Sequence, residues 1–319
     1  MSDRIRVGDI LNEAFQFGLH RWPSVLRFVW LPMLAALCLS YGFLTLAIDL
    51  DAYQEAIKAA NGGLVSAAPY LRMPLTAAVM LGIGVVVAML FIYSGAYASI
   101  YRLAALGEDR PGILPFRFDG PAQRVFVGQL ILAAIQLAIW GAAFIIAFAS
   151  SGVSFSDIGA AFGEYAAMIG RASAEPGYKP SPSELSAIRP LGAIAVGFLF
   201  ALPALLYVNV KLSPFLAGSA AENRLLLFGA FRMTRGHAWS IFGTFLLFVA
   251  AMFVLMIVLS LAMGFLGLLG SLSGAGAIGA IGQFFKALSF ALDYAVQIFL
   301  TGVVLSMQAI IYRRLKTGE

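Results

Sequence analysis

Long uncharged apolar runs recur along this chain, separated by short segments that hold nearly all of its charge. Crossing a hydrocarbon core of roughly 30 Å takes about 20 helical residues. The pattern therefore predicts six transmembrane helices, at about 25–48, 74–101, 125–149, 190–213, 239–270 and 287–312, the last interrupted near its start by Asp293. Backbone in lipid must satisfy its own hydrogen bonds, and runs this long without period-two alternation are helices rather than barrel strands. The expected fold class is all-α: a polytopic helical membrane protein forming one membrane domain over 1–319.

The connections alternate in character. On one side, 49–72 carries Asp49, Asp51 and Glu55 and predicts a short helix ended by Asn61-Gly62-Gly63. The long loop 151–189 predicts an amphipathic helix around Asp157 to Arg171, then an extended, flexible tail through Glu175-Pro176-Gly177 and Pro180-Ser181-Pro182. Residues 271–285, nearly all Gly, Ala and Ser, predict a tight turn. On the other side, Val7, Ile10, Leu11, Ala14, Phe15 and Leu19 share a helical face opposite Asp9, Glu13 and Gln16, so an interfacial helix is expected over 7–20. A second is expected over 221–235, while Gly107 to Arg124, with two prolines, is less regular. Ala14-Phe15 before His20-Arg21-Trp22 is echoed by Ala230-Phe231 before His237-Ala238-Trp239, which suggests repeated units of interfacial helix and hairpin.

Charge orients this arrangement. Of the 21 Lys and Arg, 15 fall on the side of the interfacial helices and 6 on the other. Positive charge is retained in the cytoplasm, so both termini are expected there. The same rule accounts for the net charge of +5 without nucleic acid, since no basic module interleaved with aromatics exists. With 61% hydrophobic and 12% charged residues and a mean hydropathy of +0.89, the chain is far from a soluble domain. The single cysteine, Cys38, excludes an intrachain disulfide and a cysteine-based zinc site. Asp3, Arg4, Arg6, Asp9 and Glu13 interrupt the start, which is not expected to be a cleaved signal peptide.

Candidate chemistry is sparse. Gly274-Ala275-Gly276-Ala277-Ile278-Gly279 fits the dinucleotide fingerprint by letter, but that fingerprint needs a strand before it and a soluble helix after it. His20 and His237 each lie near a tryptophan, Trp22 or Trp239, and read as interfacial anchors rather than a two-histidine metal site. Ionisable residues within spans are costly and ask for a reason. Lys211, at the inner end of the fourth span, either snorkels to the interface or binds a lipid phosphate. Asp293, Gln297 and Thr301 share a face of the sixth span, as do Gln129 and Gln136 of the third. Together these five form either a polar path or interhelical glue. Pro203 predicts a kink, and Gly82, Gly84, Ala88, Gly95 and Ala96 predict close helix contacts. With Asp293 as essentially the one intramembrane carboxylate and no nucleophile-base pair, neither an enzyme nor a cofactor is expected.

The stretches Val210-Lys211-Leu212-Ser213-Pro214-Phe215 and Gly229-Ala230-Phe231-Arg232-Met233-Thr234-Arg235-Gly236-His237-Ala238-Trp239, with Phe242-Gly243 and the opening Val7-Gly8-Asp9-Ile10-Leu11, resemble a family of bacterial multi-pass proteins. This is the membrane-domain family of the glycerophosphoryl diester phosphodiesterases. The resemblance covers the two ends of the inner face and the span count. It implies a bacterial inner-membrane location and an anchoring role, because in the better-known members a separate soluble domain performs catalysis. No such domain is expected here, and Lys211 stands where similar sequences often carry arginine, losing bidentate phosphate binding. The expectation is a membrane scaffold or lipid-interacting protein contacting headgroups through Lys211, Arg224, Arg232 and Arg235, with a small-solute or lipid transporter as the alternative. Its partners would be membrane lipids, with a homo-oligomer or a membrane partner protein left open.

Overall fold

A computed structural model of the chain describes residues 6–59, 70–109, 118–154, 157–174, 177–271 and 277–318. Among these, every regular element is a helix, and extended pairing is limited to one bridge between Ile48 and Leu71. The helices are α1 (Val7–His20), α2 (Trp22–Ala47), α3 (Leu50–Ala59), α4 (Leu75–Leu106), α5 (Gly120–Ser151), α6 (Ile158–Ala174), α7 (Pro182–Ala187), α8 (Arg189–Leu212), α9 (Phe215–Glu222), α10 (Leu227–Met233), α11 (Ala238–Ser271) and α12 (Ala277–Thr317). Six of them, α2, α4, α5, α8, α11 and α12, contain stretches long and apolar enough to cross a membrane, and each coincides with an expected span. The chain is a multi-pass membrane protein of all-α class.

Two compact units make up the chain, one of residues Met1–Met33, Ile92–Gly128 and Val210–Glu319, the other of Leu34–Phe91 and Gln129–Asn209. The core of the first gathers Ile10 and Ala14 of α1, Ile241 of α11, and Val303, Met307, Ile310 and Ile311 of α12, with Val210. Residues four apart on α1 meet residues three and four apart on α12, the spacing that lets two helical faces interlock. Gly18 sets how close they come, because a Cβ there would lie 2.7 Å from Val303 Cγ2 and 2.9 Å from Phe299 Cε2. The helix expected over 7–20 is thus present with those bounds, but Ile10 and Ala14 lie against protein rather than headgroups, leaving Leu19 exposed.

The second amphipathic segment departs from expectation. Instead of one helix over 221–235, α9 ends at Asn223, whose φ of 51° is left-handed, and α10 starts only at Leu227. Asparagine is among the few residues that tolerate this conformation, and here it terminates the helix. Ser219 Oγ then accepts the Leu226 N–H at 3.1 Å, satisfying a donor the break would otherwise orphan. Upstream, Pro214 separates α8 from α9, since a proline disfavours helix in the residue before it.

In the second unit, the stretch 49–72 does form the short helix α3, whose expected Asn61-Gly62-Gly63 terminator lies outside the described residues. Arg72 clasps this connection by donating to Thr45 O at 3.2 Å and pairing with Asp49 at 3.4 Å. The 151–189 connection holds α6 as expected; of the expected extended tail, Glu175 and Pro176 lie outside the described residues, 178–181 carry no regular structure, and Pro182 opens a further helix, α7. Ser181 and Glu184 form a reciprocal capping box around Pro182, which starts this helix directly after the extended stretch. Of the turn expected over 271–285, residues 277–285 belong instead to α12; residues 272–276, including part of the glycine motif at 274–279, lie outside the described residues. Gly197 accepts the ring of Phe144, and Trp140, Phe144 and Phe198 form an aromatic cluster with centroids 4.7 to 5.7 Å apart.

Candidate functional site

The polar chemistry of the first unit concentrates where α1, α4, α9 and α12 end. Glu13 of α1 receives Arg313 and, at 3.1 Å, Arg314, both from the last turns of α12. Arg102 of α4 pairs with Glu108 at 2.5 Å and donates to Ala220 O of α9 at 3.0 Å. Asp109 pairs with Arg27. Glu222, closing α9, takes the Tyr312 hydroxyl at 2.6 Å, Lys316 at 3.0 Å and Arg224 at 2.5 Å. Buried or half-buried carboxylates need such partners, because charge removed from water without compensation is costly.

Beside Glu13 lies a cavity of about 330 Å³, lined on the α1 side by Glu13, Gln16, His20 and Arg21, and on the others by Gly107 and Arg313. Phe17, Leu103, Ala104 and Ile310 complete it with apolar surface. His20 Nδ1 donates to Gln16 O at 2.9 Å, while His237 lies in the turn after α10, its backbone N–H donating to Thr234 O at 3.2 Å. Among the described residues, no group of three or more His, Cys, Asp and Glu is placed to hold a metal ion.

The headgroup candidates divide. Arg224 is taken up by Glu222. Lys211 is half-buried in the last turn of α8, and its carbonyl lies 3.3 Å from the buried Thr234 hydroxyl. Arg232 and Arg235 are exposed and, among the described residues, make no ion pair. They neighbour Phe228 and Trp239, which are 85% and 84% exposed.

The polar-path candidates also divide. Gln297 Nε2 donates to Asp293 Oδ2 at 2.9 Å, and Thr301 Oγ1 donates to Gln297 O at 2.8 Å, a ladder closed upon its own helix. Within the second unit, Gln136 of α5 donates to Asn209 of α8 at 3.2 Å. Gln129 is buried, and its Oε1 has no hydrogen-bond partner among the described residues.

Sequence reasoning missed two features. Tyr93, Tyr97 and Tyr101 stand four apart on α4; Tyr101 donates to Gln308 Oε1 of α12 at 2.6 Å, and Tyr97 lines a cavity of about 240 Å³ together with Thr301 and Val304. Their spacing was visible, but tyrosines in an apolar run read as hydrophobic mass. The 330 Å³ cavity had no linear signal, since its walls come from three distant segments. Comparison of the chain with protein-family models, curated proteins and solved structures finds no match.

Proposed function

We propose that this protein is a membrane scaffold or lipid-interacting protein of the bacterial inner membrane, with both termini cytoplasmic and no catalysis of its own. One observation carries this reading: Arg232 and Arg235 stand exposed beside the exposed Phe228 and Trp239 at the corner leading into α11. Cations next to outward aromatics at the end of a span are what an anionic leaflet attracts. The charge asymmetry of the connections and the resemblance to an anchoring membrane domain support it. In a pulldown from detergent with labelled phosphatidylglycerol, Arg232→Glu with Arg235→Glu is expected to cut lipid recovery. Recovery unchanged by the double reversal would count against the proposal.

A second reading rests on a different observation. The cavity shared by Tyr97 and Thr301 adjoins the helix carrying the Asp293–Gln297–Thr301 ladder, the elements a small solute would need. Solute or lipid flux in reconstituted liposomes, lost in Asp293→Asn, supports transport; flux indifferent to that substitution removes it.

A further inference from the structure

We propose that the 330 Å³ cavity beside Glu13 is a binding site for one phosphate ester, held by Arg21 and Arg313. The inference deepens the lipid-interacting reading and rests on it, but it concerns residues other than the exposed corner at Arg232.

The charge balance of the neighbourhood points to an anion. Glu13, Glu108 and Asp109 are each engaged, by Arg313 with Arg314, by Arg102 and by Arg27. Adding Arg21 makes, among the described residues of this cluster, five guanidinium groups against three carboxylates, an excess of two positive charges. Arg21 follows α1, is exposed, and has no side-chain partner among the described residues. Arg313 donates to Glu13 through Nη2 alone. A guanidinium carries five N–H donors in a planar fork, so Arg313 retains donors while Glu13 holds its position.

Two features oppose an anion, the Glu13 carboxylate and the negative end of α1. The helix dipole amounts to about half a charge, falls off within a turn, and is met there by His20 and Arg21 themselves. Glu13 is outnumbered by its own two arginines. The balance therefore stays positive.

Shape narrows the ligand. The volume lies at the low end of the roughly 300–1,000 Å³ of small-molecule sites, large enough for a phosphate with its ester carbons. The lining combines polar groups from Glu13, Gln16, His20, Arg21 and Arg313 with apolar surface from Phe17, Leu103 and Ile310, a mixture that suits a headgroup joined to a glycerol backbone. Free phosphate shares the recognition chemistry but leaves the apolar wall unused.

The test uses the full-length protein in mild detergent, with dioleoylphosphatidylglycerol, dioleoylglycerol and inorganic phosphate as probes and native mass spectrometry as readout. Arg21→Gln removes a charge, and Ala104→Leu fills the cavity without changing charge. Each is expected to weaken retention of one phosphatidylglycerol about tenfold, the loss of a charge-assisted contact. Arg232→Gln with Arg235→Gln should leave that bound lipid in place, and dioleoylglycerol should not compete. Displacement by millimolar inorganic phosphate assigns the site to the free anion; resistance to it assigns the lipid. Retention unchanged in both Arg21→Gln and Ala104→Leu overturns the site, even if lipid is lost from the Arg232 and Arg235 variant, which would leave the broader reading standing. A wild-type protein that retains no phosphorylated probe overturns both.

Discussion

The Tyr312 hydroxyl donates to Glu222 Oε1 at 2.6 Å, joining the end of α12 to the end of α9 across 90 residues of sequence. Gly218 makes this approach possible, since a Cβ there would lie 2.8 Å from the Tyr312 ring. A hydrogen bond to a charged acceptor contributes about 1.5–3 kcal/mol, and the Glu222 side chain is only 18% exposed. Tyr312→Phe should therefore lower the unfolding temperature in detergent clearly, by several degrees. Arg224→Ala, removing a partner that is 68% exposed, should change it little. Equal shifts in the two variants would show that the hydroxyl is not the stronger tie.

Gly18 offers a test of how α1 is held. A leucine there would collide with Val303 and Phe299, and overpacking of this kind costs about 1–3 kcal/mol. Gly18→Leu should destabilise the protein and raise protease access to the α1 segment. Gly8→Ala, on the same helix with no neighbour within 4 Å, should be neutral or slightly stabilising. A stable Gly18→Leu variant would mean that α1 does not depend on this contact.

Acid should loosen the connection between α6 and α8. Glu184 accepts the Ser181 backbone N–H at 2.6 Å, the Tyr178 hydroxyl at 2.7 Å and the Ser181 hydroxyl at 2.8 Å, and pairs with Arg171. These contacts, the Ser181 N–H foremost, hold its carboxyl down at about 2, against an ordinary 4.5. A depressed carboxylate adds stability that is fully present above the ordinary value and is lost as pH falls through the depressed one. Protection of the α7 amides from hydrogen exchange, corrected for intrinsic rates, should therefore hold at pH 5 and above and decline between about pH 4.5 and 2. In Glu184→Gln the protection should be lower at neutral pH and insensitive across that window; retention of the wild-type pH profile would contradict the assignment.

The proposed orientation, with both termini cytoplasmic, rests on the 15 to 6 division of Lys and Arg and is tested by cysteine labelling. In a Cys38→Ser background, Lys179→Cys should react with an impermeant maleimide in intact cells, and Thr317→Cys only after permeabilisation. Both positions are exposed in the structure, so burial does not confound the comparison. The reverse pattern would invert the topology.

The spans were legible because their requirement is local. Each of the expected stretches from 25–48 to 287–312 lies in a long helix, and α1 has the bounds that its periodic apolar face predicts. Local chemistry also held the signal for α7, where Ser181 and Glu184 stand at capping-box spacing; the neighbouring prolines masked it. Asn223 shows the opposite case. Glu222-Asn223-Arg224 reads equally well as the lead into a helix or as the end of one, and the packing of α9 against α12 selects the end.

The sequence by itself determined that the chain is helical and where the six helices stand that, among the described residues, are long and apolar enough to cross a membrane, because the bilayer imposes length, hydropathy and backbone self-satisfaction on every span separately. Only the tertiary structure decided which charges are engaged. Arg224 and Arg232 are alike in sequence, yet Arg224 is paired with Glu222, and Gln136 is held by Asn209 of the neighbouring α8. The cavity at Glu13 depends on Arg313, a residue 300 positions away. Ion pairs and cavities are made by distances between elements, and the order of residues along a chain does not contain those distances until the helices have packed.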